Sequence, residues 1–170
     1  MQLKKWELIS VLAMIVAGVG SRFLPHAVDF TPLLGIAVFV GFMSRRNPLL
    51  LAVMLILLVA SDFAIGFYSG ISLVYLGYAL AFGAGWLIRR RRVSNLLLSG
   101  LLSAILFFLA SNLGVWLWSG MYVKTMAGLV ECYAMALPFF PNLVVSTVAT
   151  VAVTFGVFAL TERVYAPARQ

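Results

Sequence analysis

The few residues of this chain that could do chemistry stand near the ends of long apolar runs. Asp62 closes one such run, and a carboxylate at membrane depth is costly and therefore a functional candidate. Tyr75 and Tyr78 follow at i and i+3 spacing, which places both on one helix face. Asn112 and Trp116, at i and i+4, share a face near the end of a later run. This spacing predicts a polar pocket formed by several helix ends.

Each of these residues also has a purely structural interpretation. Tyr78 or Asn112 could simply satisfy Asp62 inside a helix bundle, because buried polar groups need partners. A belt of aromatic residues at a membrane interface would explain Trp116 without any ligand.

Four further candidates fall in predicted loops or interfacial segments: His26, Asp29, Lys124 and Cys132. His26 and Cys132 could ligate a metal held in a cofactor, but two lone residues in separate loops favour the plainer interpretation of a loop histidine and an inert buried thiol. Lys124 could simply lie on the solvated face of a helix. A single cysteine excludes an intramolecular disulfide and any multi-cysteine zinc site. We expect no resident metal and no cofactor of the protein's own.

The common catalytic motifs are missing from the sequence. It has no phosphate-binding loop of the Gly-x-x-x-x-Gly-Lys type, no His-Glu-x-x-His and no Gly-x-Ser-x-Gly. We therefore expect no enzyme and assign no catalytic residue, although a membrane enzyme that uses Asp62 or Cys132 is a third hypothesis.

Composition predicts the fold class. Of 170 residues, 64% are hydrophobic and 10% charged, far from the mix of a soluble domain. A span needs about 20 residues, so the chain can form a single all-α membrane domain, residues 1–170, with six transmembrane helices. The apolar runs place these helices at about 6–20, 32–44, 48–68, 71–88, 95–118 and 142–160.

Residues 121–137 could form a seventh span or an amphipathic helix. One face of this segment carries Met126, Leu129, Val130, Tyr133 and Leu137, and another carries Lys124, Gly128 and Glu131, as in a helix at a membrane interface. With six spans, ten Lys and Arg residues lie on one side and only Arg22 and Lys124 on the other. A seventh span would weaken this bias, so the amphipathic interpretation is favoured.

Cytoplasmic loops are enriched in Lys and Arg. Both termini are therefore predicted in the cytoplasm and the amphipathic helix outside, between helices five and six of a multi-pass membrane protein. The positive charges occur in short clusters between apolar runs, which argues against nucleic acid as a partner. The lipid bilayer is the expected surrounding.

Ala13 and Ala17 form a small-xxx-small pair that would allow another helix to approach closely. The partner helix could belong to another subunit, or the pair could pack within the protein's own bundle.

Several longer segments resemble a family of uncharacterised bacterial six-helix membrane proteins. These are Ser21-Arg-Phe-Leu-Pro-His-Ala-Val-Asp-Phe-Thr-Pro, Ser61-Asp62, Asn112-Leu-Gly-Val-Trp, Met121-Tyr-Val-Lys-Thr, Gly128-Leu-Val-Glu-Cys-Tyr and Pro138-Phe-Phe-Pro-Asn. That family is similar in layout to the substrate-binding S components of energy-coupling factor (ECF) vitamin transporters.

The resemblance implies a location in the bacterial inner membrane and capture of a vitamin-sized solute from outside. It also implies a coupling subunit docked at Ala13-Met-Ile-Val-Ala17, and partner ATPases. A corrinoid is one solute to consider, with His26 or Cys132 on its cobalt. We therefore expect a substrate-binding subunit or solitary transporter. The alternative is a structural or assembly protein without a small-molecule ligand.

Overall fold

The computed structural model describes residues 3–25 and 30–165, and this part of the chain is helical, with no strand. His26, Asp29 and Arg169 lie outside the described residues. The helices are α1 (Lys5–Gly20), α2 (Leu33–Ser44), α3 (Leu49–Ile65), α4 (Ile71–Leu87), α5 (Val93–Trp118), α6 (Met126–Ala136) and α7 (Phe140–Tyr165), with short 3₁₀ turns at Ser21–Phe23 and Leu137–Phe139.

Three helical stretches are long and apolar enough to cross a membrane: Lys5–Phe23, Val93–Trp118 and Met126–Tyr165. The outer surface fits this character. Ile56 is 66% exposed and Phe63 is 80% exposed, among many other large apolar side chains on the outside of the bundle. Water would disfavour so much exposed apolar surface, whereas lipid would accept it.

The three shorter apolar helices are α2, α3 and α4. With 12 residues, α2 is about 18 Å long, less than the hydrocarbon thickness of about 30 Å. It lies in the centre of the bundle against α1, α3, α4, α5 and α7, and nearly all its residues are buried. Its uniformly apolar sequence therefore reflects burial on all sides by protein.

One end of the bundle gathers the arginines. Arg46 donates to Glu7 at 2.7 Å, and Arg91 forms two hydrogen bonds to Glu162, one of 2.9 Å. The hydrogen bond to Glu162 raises the pKa of Arg91. This arginine-rich end therefore brings together the start of α1, the α2–α3 connection, the α4–α5 connection and the end of α7. Sequence analysis used these arginines only to predict the topology and did not identify their carboxylate partners, Glu7 and Glu162.

Helix α3 ends earlier than the predicted residue 68. Gly66 has a φ of +112°, in the left-handed half of φ space that a right-handed helix cannot use, and its N–H bonds the Asp62 carbonyl oxygen at 2.8 Å. Asp62 therefore lies in the last turn of α3, three residues before the helix ends at Ile65, whereas a helix to residue 68 would have placed it about six residues from the end. Tyr68 lies in the connection to α4.

The predicted amphipathic helix begins five residues later than expected and continues into the last helix. Pro138 and Pro141 do not separate α6 from α7, because the first falls in the 3₁₀ turn and the second in the first turn of α7, where a missing N–H costs nothing. The other predicted helix ends differ from the structure by up to five residues, the largest difference being α7, which reaches Tyr165.

The predicted apolar face of α6 is only partly the buried one. Gly128 and Cys132 are buried and Tyr133 is half-buried, against α5, whereas Met126 and Val130 are 73% and 65% exposed. The helix packs with its small residues and turns larger apolar side chains outward. A hydrophobic pattern does not distinguish a lipid-facing surface from a core-facing one.

Candidate functional site

The opposite end of the bundle holds a buried ion pair. Asp62 is 1% exposed, and Arg22 donates to its Oδ1 atom while the Tyr75 hydroxyl donates to Oδ2 at 2.8 Å. Arg22 also donates to the Ser61 hydroxyl and, at 3.5 Å, to the Leu58 carbonyl oxygen. Both carboxylate oxygens therefore have partners, as a buried charge requires.

Three helix ends bring these groups together. Arg22 lies in the 3₁₀ turn directly after α1, Asp62 in the last turn of α3, and Tyr75 in the second turn of α4. The 3₁₀ turn carries Arg22 across the end of α3, where the guanidinium meets the carbonyl groups and side chains of its final turns.

A cavity of about 450 Å³ lies beside the ion pair. Arg22 is part of its wall, whereas the buried Asp62 and the partly exposed Tyr75 are not among the lining residues. The lining residues are Arg22, Thr31, Ile65, Tyr68, Ser69, Gly70, Val74, Tyr78, Phe107, Ser111, Asn112, Val115 and Leu143. The cavity thus combines apolar walls from α4, α5 and α7 with a small number of polar groups, which is typical of sites for small organic molecules.

Two of the predicted site residues line this cavity with uncommitted polar atoms. The Asn112 amide donates one hydrogen bond, to the Phe108 carbonyl oxygen at 2.9 Å, which leaves its own side-chain oxygen free within the described structure. The Tyr78 hydroxyl has no hydrogen-bond partner among the described residues, and its ring packs edge-on against Phe107 with centroids 5.2 Å apart. These groups can bind a polar solute.

Tyr75 and Tyr78 have different surroundings despite their shared face. Tyr75 holds the Asp62 carboxylate, and Tyr78 faces the cavity. Neither Tyr78 nor Asn112 hydrogen-bonds Asp62; its partners are Arg22 and Tyr75.

Trp116, Lys124 and Cys132 lie outside the cavity wall. The Trp116 indole donates to the Val123 carbonyl oxygen at 3.1 Å, and the Lys124 ammonium lies 5.6 Å from the centre of the indole ring and donates to the Trp116 carbonyl oxygen. The buried Cys132 thiol donates to the Asn112 carbonyl oxygen at 3.4 Å. These hydrogen bonds hold the α5–α6 connection and α6 against the end of α5.

Arg22 and Tyr68 are cavity residues that sequence analysis did not select. Arg22 was noted only as one of two basic residues on the arginine-poor side, and this exceptional position was the available signal. Burial and the negative charge of Asp62 raise the pKa of Tyr68, so its hydroxyl stays protonated and can donate a hydrogen bond.

Ala13 and Ala17 are both exposed on α1. Ala17 borders a separate apolar groove of about 300 Å³ between α1, α2 and α7. Within the described part of the chain, no three His, Cys, Asp or Glu residues come close enough to hold a metal ion.

Comparison with known proteins gives one match. A model of a family of unknown function (DUF6580) matches residues 2–169. No curated protein and no solved structure matches the chain.

Proposed function

The chain belongs to this family of unknown function, DUF6580, and we propose that it is a membrane protein that captures a vitamin- or cofactor-sized organic solute from the outer side. It acts as a substrate-binding subunit similar to the S components of ECF transporters, with a coupling subunit and ATPases, or as a solitary transporter. The observation that carries the proposal is the cavity of about 450 Å³, whose size lies within the usual range for small-molecule sites.

The proposed topology has six membrane passes in a bacterial inner membrane, with both termini in the cytoplasm. Support comes from the alternation of helix ends. The connections that carry arginines meet at one end, and the cavity opens among the ends of α1, α3 and α5 and the starts of α4 and α7 at the other. The positive-inside rule then assigns the arginine-rich end to the cytoplasm.

Single cysteines test this topology in a background that lacks Cys132. We expect Ser69→Cys and Met121→Cys to react with an impermeant maleimide in intact cells, because both positions are exposed at the cavity end. Arg45→Cys and Arg90→Cys, exposed at the arginine-rich end, should react only after permeabilisation. Labelling of the two arginine positions in intact cells would refute the orientation.

Filling the cavity tests solute binding. Ser111→Trp places an indole in the cavity and leaves both residues of the Arg22–Asp62 ion pair unchanged, whereas Leu102→Trp adds the same group to an exposed position of α5. Native mass spectrometry of gently purified protein should detect a co-purified solute with the parent and with Leu102→Trp. Ser111→Trp should lose it, with at least a tenfold weaker affinity in a direct assay. Equal retention by both variants would exclude this cavity as the site.

The exposure of Ala13 and Ala17 favours docking of a partner helix on this face of α1. Such docking is also expected if the protein is an assembly protein without a solute. Replacing both alanines with leucine should abolish co-purification of a membrane partner while the isolated protein keeps its melting temperature. If the partner still co-purifies, this face is not the docking surface. Loss of a co-purified solute from Ser111→Trp would favour the substrate-binding hypothesis, because an assembly protein without a ligand has no solute to lose.

A further inference from the structure

We infer that the cavity selects a solute that is uncharged where it meets Arg22 and that presents a hydrogen-bond acceptor, such as an amide or ketone oxygen, to this guanidinium. The inference rests on the proposed function, because it names the class of solute for the same cavity.

The charge of Arg22 is already compensated. Its guanidinium lines the cavity, while the Asp62 carboxylate bonded to it is buried behind the wall and out of contact with water. An anionic solute at Arg22 would also approach this unscreened carboxylate. The attraction and the repulsion would largely cancel, and the solute would still lose its own hydration.

Arg22 nevertheless keeps hydrogen-bonding capacity. A guanidinium carries five N–H donors, and here three of its hydrogen bonds go to Leu58, Ser61 and Asp62. The remaining donors can serve an acceptor in the cavity. A neutral oxygen satisfies them without bringing a second negative charge to the pair.

The rest of the lining fits a neutral, partly apolar molecule. Phe107, Val115 and Leu143 supply apolar wall, and the free Asn112 side-chain oxygen can accept a hydrogen bond from the solute. The Tyr68 and Tyr78 hydroxyls, and the hydroxyl residues Thr31, Ser69 and Ser111, add polar groups without adding a charge. Among the described residues that line the cavity, Arg22 is the one charged group.

Matched pairs of compounds that differ only in charge test this selectivity. The probes are nicotinamide with nicotinate, panthenol with pantothenate, and biotinamide with biotin, measured by thermal shift and equilibrium binding on the full chain in detergent at neutral pH. In any pair for which binding is detected, we expect the neutral compound to bind at least tenfold more tightly than the corresponding acid. An acid that binds more tightly would overturn the inference and leave the proposed function standing.

Asp62→Asn supplies a second arm, because it uncovers the charge of Arg22 while an amide oxygen remains for Tyr75. The ratio of neutral to acid affinity should fall at least tenfold in this variant, and an unchanged ratio would overturn the inference. The comparison on the parent protein stands if the variant does not fold. Binding of no member of any pair, to the parent or to Asp62→Asn, would overturn the proposed function and the inference with it.

Discussion

Replacing Arg22 with methionine should lower the free energy of unfolding by about 3 to 5 kcal/mol, the usual cost of removing one partner from a buried ion pair. Asp62 is 1% exposed, so its carboxylate would remain in a low-dielectric environment with only the Tyr75 hydroxyl as a partner. Thermal or denaturant unfolding of the purified protein in detergent measures this loss.

The two partners should differ in cost. Asp62→Asn strands Arg22, but that side chain is 18% exposed at the cavity and can bind water, so this change should cost about 1 to 3 kcal/mol. In the double variant Arg22→Met with Asp62→Asn no charge is stranded, and at least half of the loss caused by Arg22→Met should return.

A matched control uses the ion pair at the other end of the bundle. Glu162 and Arg91 are 30% and 36% exposed, so Glu162→Gln should cost about 1 kcal/mol or less. If Arg22→Met unfolds like this control, or if the double variant loses the sum of the two single changes, the buried pair is not an energetic unit.

The same experiments separate structure from function at Asp62. Under the proposed function, Asp62 acts on the cavity through Arg22 as a positioning residue, so its neutralisation should change which solutes bind as well as the stability of the protein. An asparagine variant that melts early but binds every probe like the parent would leave Asp62 a purely structural role.

Sequence analysis predicted which segments are helices, but it did not predict which residues from different helices contact one another. The apolar runs predicted the helices within a few residues. The spacing of Tyr75 and Tyr78 placed both on one face of α4, where Tyr75 bonds Asp62 and Tyr78 lines the cavity. A helix face is a local property that follows from 3.6 residues per turn.

The partner of Asp62 could not be read in this way. Arg22 precedes Asp62 by 40 residues, and their contact depends on how the 3₁₀ turn after α1 crosses the end of α3. The hydrophobic periodicity of a single segment does not predict how that segment crosses another one. The buried face of α6 could not be predicted for the same reason. Its small residues Gly128 and Cys132 are buried, while the larger apolar residues Met126 and Val130 face outward.

The apolar character of α2 illustrates a different limit. Its hydropathy predicted a membrane pass, and the same apolar sequence also fits burial among α1, α3, α4, α5 and α7, which surround it. Hydropathy measures the avoidance of water, and a helix at the centre of a bundle avoids water as strictly as one in lipid.

The close packing of α2 on α4 should make Gly85→Ala strongly destabilising. We expect this change to lower the free energy of unfolding by about 3 kcal/mol or more. A Cβ atom at Gly85 would lie 1.8 Å from the Val38 carbonyl oxygen and 2.7 Å from its carbonyl carbon, both of which are backbone atoms that cannot rotate away. The two helices would have to separate along their central contact.

Gly83 is the matched control on the same helix, two residues earlier. A Cβ atom at this position meets nothing within 4 Å, so Gly83→Ala should be neutral or stabilise α4 by up to about 1 kcal/mol through helix propensity. Both variants gain the same methyl group, and the difference between their unfolding free energies therefore isolates the contact with α2. Because α4 also carries Tyr75 and Tyr78, displacement of this helix should weaken solute binding in Gly85→Ala but not in Gly83→Ala. Equal melting temperatures for the two variants would show that α2 and α4 do not approach as closely as this packing requires.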